Sequence, residues 1–73
     1  MNVRSPKQLA INAGWTAVAA IQGWRHFRIS ARRHTDGGLE VEMMAVCDRA
    51  VRFWVLPAVL KDPKLWQSGW KDL

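Results

Sequence analysis

The stretch GWRHFRISARRHTDGGLEVEMMAVC, residues 23–47, decides the fold because apolar and polar side chains alternate on both sides of a turn signal. Every second residue from Phe27 to Ala31 is apolar before the turn, and every second residue from Leu39 to Cys47 is apolar after it. A period of two is typical of half-buried strands. Between the two runs, TDGG contains the glycines that reach positive φ in tight turns. The stretch therefore predicts an antiparallel β-hairpin.

The register of this hairpin follows from matching its apolar faces. A three-residue loop at residues 36–38 pairs Ile29 with Ala45, and loops of this length with glycine in the left-handed position are common. The same loop pairs Ala31 with Met43. A two-residue loop instead mixes apolar and acidic side chains on one face. The three-residue register is therefore predicted.

Two further strands extend the hairpin into a meander. WTAVA alternates before it, and VRFWVL alternates after it. A loop at residues 48–50 pairs Ala45 with Phe53, so that the apolar faces match again. The sequence predicts a mainly β fold with short α elements. We expect a four-stranded antiparallel meander over residues 15–56, with an SH3-like barrel as its closed form and short helical turns at both ends.

The residues before the first strand have the chemistry of a short helix. Ser5 suits an N-cap, and Pro6 suits the first helical position. Gly14 is placed to end the turn in the left-handed conformation. Residues 1–14 are therefore predicted to form an N-terminal arm or a short helix.

The residues after the last strand are predicted to form a tryptophan-rich lid, residues 57–73. Asp62 suits a helix cap, and residues 64–67 supply about one helical turn. Gly69 suits the position just after that turn. The turn is expected to dock on the sheet, because so short a helix does not persist alone.

Aromatic residues provide the core of a chain of only 73 residues. Its five tryptophans and two phenylalanines each bury roughly 150–250 Å² when packed. This compensates for the limited interior of a small domain. We predict a single domain, residues 1–73. The predicted structural core contains Trp15, Phe27, Phe53, Trp66 and Trp70.

Cysteine usage and hydropathy indicate a cytoplasmic location. Cys47 is the one cysteine, so no disulfide forms within the chain, as is usual in a reducing compartment. The first residues lack the continuous apolar segment of a signal peptide. No apolar run approaches the roughly 20 residues that span a bilayer. We therefore predict a cytoplasmic protein without a membrane partner.

Five short motifs stand out along the chain: PKQL at residues 6–9, WTAV at 15–18, HF at 26–27, LKD at 60–62 and WQSGW at 66–70. Together they resemble the small tryptophan-rich bacterial proteins of unknown function. The resemblance spans nearly the whole chain, and the closing W-x-x-G-W is its most specific part. It implies one small intracellular domain and brings no established activity.

A net charge of +5 favours an anionic partner. Arg32 is expected to lie opposite Glu42 and to be neutralised there. Arg52 adds a further positive charge, and Trp24 or Trp54 is placed to stack on unpaired bases. We predict a small basic binding module that contacts RNA or a ribonucleoprotein such as the ribosome. The candidate residues are Trp24, Arg25, Arg28, Arg33, Arg49, Lys61 and Lys64.

An apolar strip supports an alternative, a protein–protein interaction module. Met44, Val46, Trp54 and Leu56 point away from the core in the predicted register, which places Met44 opposite Trp54. An exposed apolar patch is typical of interaction sites. The candidate residues for a protein partner are Trp54, Met44 and Leu56, and the oligomeric state is left open.

No residue pattern indicates catalysis. His26 and Asp48 are predicted to lie opposite each other, whereas Cys47 points to the other face. His26, His34 and one cysteine have no recognised zinc-ligand spacing. The sequence contains neither a P-loop nor a dinucleotide-binding fingerprint. We therefore predict no enzyme activity, no cofactor and no metal.

Overall fold

A single five-stranded antiparallel sheet forms the body of the protein, for which a computed structural model describes residues 7–73. The strands are β1 (Gly14–Ile21), β2 (Trp24–Thr35), β3 (Gly38–Ala45), β4 (Asp48–Val55) and β5 (Trp66–Ser68), with a 3-10 turn at Lys7–Leu9 and a short helix α1 at Pro57–Leu60. Their order in the sheet is β4-β3-β2-β1-β5. The predicted mainly β fold, with its antiparallel meander and short helical elements, is confirmed.

The sheet is open, with β4 at one edge and β5 at the other. The prediction did not include β5, which pairs with β1 through Ala17–Trp66, Thr16–Gln67 and Trp15–Ser68. This short strand supplies partners for main-chain groups of β1 that an edge position leaves unpaired. Within residues 7–73, β4 and β5 do not pair, so the sheet does not close into the barrel.

One face of the sheet carries the hydrophobic core. Phe27, Ile29, Val41 and Met43 are fully buried there. The 3-10 turn and α1 cover this face with one buried leucine each, Leu9 and Leu60. Burying side chains of this size contributes about 1.5–3 kcal/mol each before the entropy of ordering is subtracted. The core face is therefore closed by the sheet and the two short helical elements together.

Aromatic rings meet edge to face within this core. The ring centroid of Phe27 lies 5.4 Å from that of Trp66 and 5.6 Å from that of Phe53. Such pairs contribute about 0.5–1.5 kcal/mol beyond the area that they bury. Trp15 is also buried, and its Nε1 donates to the main-chain oxygen of Gln8 at 2.6 Å.

The register of the β2–β3 hairpin differs from the prediction. Thr35 pairs with Gly38, so the loop has two residues rather than three, and Ala31 pairs with Glu42. A β-bulge between Ile29 and Ala31 then shifts the pairing, and Ile29 lies opposite Met43. The extra residue of the bulge returns the apolar faces to match after the tight turn. The predicted three-residue loop is therefore wrong, because a bulge allows a two-residue loop with matched apolar faces.

The β3–β4 register also differs from the prediction. The turn lies at residues 46–47, β4 already begins at Asp48, and Phe53 pairs with Met43 rather than with Ala45. The pairing shifts by two residues, and side chains alternate with a period of two. Each β4 side chain therefore keeps its predicted face while its partner changes.

Within residues 1–14, predicted as an N-terminal arm or a short helix, the structure has the 3-10 turn at Lys7–Leu9, and β1 begins at Gly14. The predicted helix start at Ser5 and Pro6 lies outside the described residues. Gly14 opens β1 without a positive φ, whereas Asn12 takes the left-handed conformation at φ 71°. An asparagine tolerates that conformation because its short polar side chain bonds locally.

The predicted helical turn at residues 64–67 is also absent. The helix instead begins at Pro57, whose fixed φ suits a first helical position, and Trp66–Ser68 is extended as β5. The side chain of Asp62 accepts a hydrogen bond from the Lys64 N–H at 2.9 Å, which makes a local turn before β5. Gly69 has a positive φ of 86° and turns the chain after β5.

Candidate nucleic-acid interface

The second face of the sheet, opposite the core, is called the open face here. Its side chains alternate with those of the core along β2, β3 and β4. They are His26, Arg28, Ala31 and Arg33 from β2, Glu40, Glu42 and Met44 from β3, and Arg52 and Trp54 from β4. The segment after β5 returns across β1 and adds Trp70 to this face.

Thr16 holds the returning segment on the sheet. Its side chain is fully buried. Thr16 Oγ1 donates to the main-chain oxygen of Gly69 at 2.7 Å and accepts from the Lys71 N–H at 2.9 Å. His26, which pairs with Thr16 across the strands, adds a bond of 2.9 Å from Nε2 to the main-chain oxygen of Lys71. These bonds flank Trp70 on both sides.

Trp70 is held in place although it is the most exposed tryptophan. Its Nε1 donates to the main-chain oxygen of Phe27 at 2.9 Å, and its ring lies against Gly14, where an added β-carbon would be 2.8 Å from Cε2 and Nε1. The side chain is nevertheless 56% exposed. The prediction that Trp70 belongs to the core is therefore wrong. The turn at Gly69 carries it to the opposite side of the sheet from Trp66.

Two arginines follow Trp70 across the open face. Arg28 pairs with Gly14 and so lies beside Trp70, and its Nη1 donates to Asn12 Oδ1 at 2.9 Å. Two strands further on, Arg52 is exposed and has no ion pair or hydrogen bond from its side chain within the described residues.

Met44 separates these two arginines, because it pairs with Arg28 on one side and with Arg52 on the other. Its side chain is only 6% exposed. The prediction of an exposed strip through Met44 is therefore wrong, because the long side chains on the neighbouring strands stand on both sides of it.

Trp54 lies at the far end of the open face under an arginine. The Cζ atom of Arg33 is 4.0 Å from the centroid of the Trp54 ring, a cation–π contact. Arg33 Nε also donates to Glu40 Oε1 at 2.8 Å. The tighter hairpin turn explains this pair, because it places Glu40 opposite Arg33.

Glu42 occupies the middle of the open face. It pairs with Ala31 on β2 and with Trp54 on β4, and its Oε1 accepts from Ser30 Oγ at 2.7 Å. The predicted pair of Arg32 with Glu42 is wrong, because the two-residue turn places Arg32 opposite Val41.

The other predicted residues lie away from this group. Arg25 donates from Nη1 to the main-chain oxygen of Leu73 at 3.1 Å, and Trp24 is 37% exposed where β2 begins. Three cations are exposed at separate places: Arg49 near the start of β4, Lys61 after α1, and Lys64 before β5. Leu56 is exposed just before α1. The structure therefore gathers Arg28 and Arg33, but not the other predicted cations, on the open face.

Sequence reasoning missed the residues that position Trp70 and Glu42. The sequence predicts Gly14 as the end of a helical turn, Thr16 as an ordinary strand residue and Ser30 as one polar position in an alternating run. Their roles depend on the return of the segment after β5 and on the bulge, neither of which has a local sequence signal. Gly69, just before Trp70, is the one sequence feature that indicates a turn of the chain at this point.

A separate cavity of about 270 Å³ lies on the core side. Leu9, Trp15 and Leu60 line it, with Lys61 among the polar residues around them. It shares no residue with the open face and lies across the sheet from it.

Two further observations concern residues 7–73. No three side chains of His, Cys, Asp or Glu lie together in a group that fits a metal ion. Neither helical element has the length and apolar content needed to cross a membrane.

Comparison with known protein families gives a match. The model of a family described as "Tryptophan-rich protein (DUF2389)" matches residues 13–71. No curated protein and no solved structure matches the chain. The matched segment contains all five strands together with Gly14 and Trp70.

Proposed function

The chain belongs to this tryptophan-rich family, whose function is unknown, and from that premise we propose that it is a non-catalytic module that binds single-stranded RNA on the open face. The observation that carries the proposal is the placement of Trp70. An indole that served only stability gains by burial. Here the Thr16 hydroxyl bonds to the main chain on both sides of Trp70 and the indole N–H donates to the Phe27 oxygen, yet the indole is more than half exposed.

A fixed indole suits a stacking role. Stacking of a nucleobase on an aromatic side chain contributes about 1–3 kcal/mol per base and tolerates any base. Trp70 packs against Gly14 on one side, so its side chain is already ordered and its exposed surface is available to a base. Ordering a side chain on binding otherwise costs about 0.5–1.5 kcal/mol.

The arginines supply the phosphate contacts that such a site needs. Arg28 lies beside Trp70, and Arg52 is exposed without an ion pair within the described residues. A guanidinium group binds phosphate with two parallel hydrogen bonds. Arg33 over Trp54 adds a second surface for stacking, because guanidinium planes also stack on bases.

The dimensions of the open face favour a single strand over a duplex. Gly14, below Trp70, and Arg52 are three strand spacings apart, roughly 14 Å at about 4.8 Å per spacing. A single strand that crosses the sheet reaches Trp70 and the guanidinium of Arg33 above Trp54, with its bases turned toward the protein. In a duplex the faces of the bases are hidden by stacking.

A cytoplasmic ribonucleoprotein is the setting that we propose. The net charge of +5 includes exposed cations outside the open face, such as Arg49 and Lys64, and these steer the protein toward any polyanion. The free thiol of Cys47 is exposed, which suits a reducing compartment.

The alternative, a protein–protein module on Met44, Trp54 and Leu56, has less support. Met44 is buried between two arginines, and Trp54 lies under Arg33. Leu56 is exposed, but a single exposed leucine is ordinary for a protein surface.

Titration of a fluorescently labelled oligoribonucleotide, read by anisotropy, tests the proposal. The wild-type protein should bind, with an affinity that falls steeply between about 50 and 200 mM salt. Trp70→Ala should weaken binding roughly five- to a hundredfold. Trp24→Ala is the matched control, because Trp24 is a second exposed tryptophan, at the start of β2, and this variant should bind as wild type does. Absence of binding, or equal effects of the two substitutions, contradicts the proposal, and a duplex of the same sequence should bind more weakly.

A further inference from the structure

The middle of the open face holds a carboxylate where phosphate binding alone would favour a neutral or cationic group. We propose that Glu42 accepts a hydrogen bond from the amino group of a nucleobase, so that the face binds cytosine in preference to uracil. This inference rests on the proposed function and adds base selection to it.

The position of the Glu42 carboxylate is set by the β-bulge. The bulge lies between Ile29 and Ala31, and Ser30 within it donates from Oγ to Glu42 Oε1 at 2.7 Å. Bulges often redirect a side chain next to a functional site. Here the redirected serine fixes the orientation of an acid on the neighbouring strand.

This carboxylate keeps capacity for a ligand. Its two oxygens offer about four acceptor sites, and within the described residues Ser30 is the one side chain bonded to them. Arg33, a cation on the same face, is paired with Glu40 and packed on Trp54. Glu42 is therefore oriented by a neutral donor, and no ion pair among the described residues occupies it.

The neighbours of Glu42 leave room for a base. Ala31, directly across on β2, carries only a methyl group, and Trp54, directly across on β4, is the aromatic partner of Arg33. A base that stacks on the guanidinium group of Arg33, which covers Trp54, can extend over Ala31 with its edge toward Glu42. Facing residues of adjacent strands have β-carbons about 4.5–5.5 Å apart, which is within reach of such an edge.

The chemistry of the two pyrimidines then differs at one position. Cytosine presents an amino group, N4, that donates to a carboxylate, and acidic side chains pair with it in nucleic-acid complexes. Uracil presents a carbonyl oxygen at the same place. An acceptor that faces an acceptor leaves both without a bond, which disfavours uracil.

Labelled oligo(C) and oligo(U) of equal length, about eight nucleotides, test this inference by anisotropy. The wild-type protein should bind oligo(C) more tightly by roughly five- to a hundredfold. In Glu42→Gln the amide still accepts from Ser30 but also donates to the uracil oxygen, so the ratio should fall toward one. Glu40→Gln is the matched control. It removes the same charge and releases Arg33, so it should strengthen binding of both oligonucleotides and keep their ratio.

Each outcome decides between the two proposals. Equal affinity of the wild-type protein for oligo(C) and oligo(U) overturns the inference and leaves RNA binding in place. Absence of binding to either overturns both. If Glu40→Gln also loses the preference for oligo(C), the preference depends on negative charge in general rather than on Glu42, and the inference is overturned. If Glu42→Gln does not fold, Ser30→Ala serves instead. This variant keeps the Glu42 carboxylate but removes the hydrogen bond that orients it, so the preference for oligo(C) should become smaller without reversing.

Discussion

The indole of Trp70 occupies the space that a side chain at Gly14 would need. A β-carbon on Gly14 would lie 2.8 Å from two atoms of the Trp70 ring. Gly14 has no positive φ, so its lack of a side chain serves close packing rather than backbone freedom. The first residue of β1 and the segment after β5 therefore depend on each other for their positions.

We expect Gly14→Ala to displace Trp70 while β1 remains a strand. Overpacking of this kind destabilises by about 1–3 kcal/mol, and the stacking surface for RNA should be lost with it. The indole N–H resonance of Trp70, followed by two-dimensional NMR, should move toward its solvent-exposed position. Gly37→Ala is the control, because the nearest atom to its β-carbon is 3.7 Å away and its φ is not positive. An unmoved Trp70 resonance in Gly14→Ala contradicts the structure.

We expect Thr16→Val to destabilise the protein by about 1–3 kcal/mol. Valine matches the shape of threonine but leaves the Gly69 oxygen and the Lys71 N–H without their partner. Urea denaturation measures the change in the free energy of unfolding. Thr35→Val is the control, since Thr35 Oγ1 bonds in an exposed turn, and Thr16→Ser should restore most of the stability. Equal losses in both valine variants would contradict the role of Thr16.

The two tryptophans of the W-x-x-G-W motif should respond differently to substitution. Trp66 is buried against Phe27 and Phe53, so Trp66→Ala should cost about 3–5 kcal/mol, much of the stability of a small domain. Trp70→Ala should cost about 1 kcal/mol, mainly its hydrogen bond to the Phe27 oxygen. Thermal denaturation by circular dichroism compares the two. A larger loss in Trp70→Ala than in Trp66→Ala would reverse the roles assigned to them.

Arg28→Gln should reduce the salt dependence of RNA binding. Loss of one phosphate contact lowers the slope of log K against log salt by about 0.7 for a single strand. Lys64→Gln is the control, because Lys64 is exposed before β5 and away from the open face, and its slope should equal that of wild type. Parallel anisotropy titrations at several salt concentrations give both slopes. A wild-type slope in Arg28→Gln removes Arg28 from the interface.

The alternating pattern around the hairpin predicted its two strands and placed Phe27 and Ile29 on the core face, because alternation depends on local chain geometry. It did not predict their partners. A bulge at Ser30 adds one residue to one strand. No residue type in the sequence indicates this bulge, because it depends on how the strands fit together in the folded sheet. The same limit applied to β4, where a shift of two residues leaves every side chain on its predicted face.

The tail shows a different limit. Local rules for caps and turns favoured a helix around residues 64–67, yet β1 has main-chain groups that Trp66–Ser68 satisfies as a strand. This tertiary requirement outweighs a weak local preference. The prediction that Trp70 is core failed for a related reason, since hydrophobicity alone does not show on which side of the sheet a residue ends.

The pairing of β1 with β5 has a consequence for the order in which the protein folds. β1 meets β2 across a tight turn, but Ala17 meets Trp66 only after most of the chain has been brought back to it. Closing so large a loop is the slow part of such a topology, because its entropy must be lost before the contacts form. The meander is therefore expected to assemble first and the segment that carries Trp70 to dock last. If the proposed function holds, only fully folded molecules present Trp70 for stacking, and partly folded chains are not expected to bind RNA.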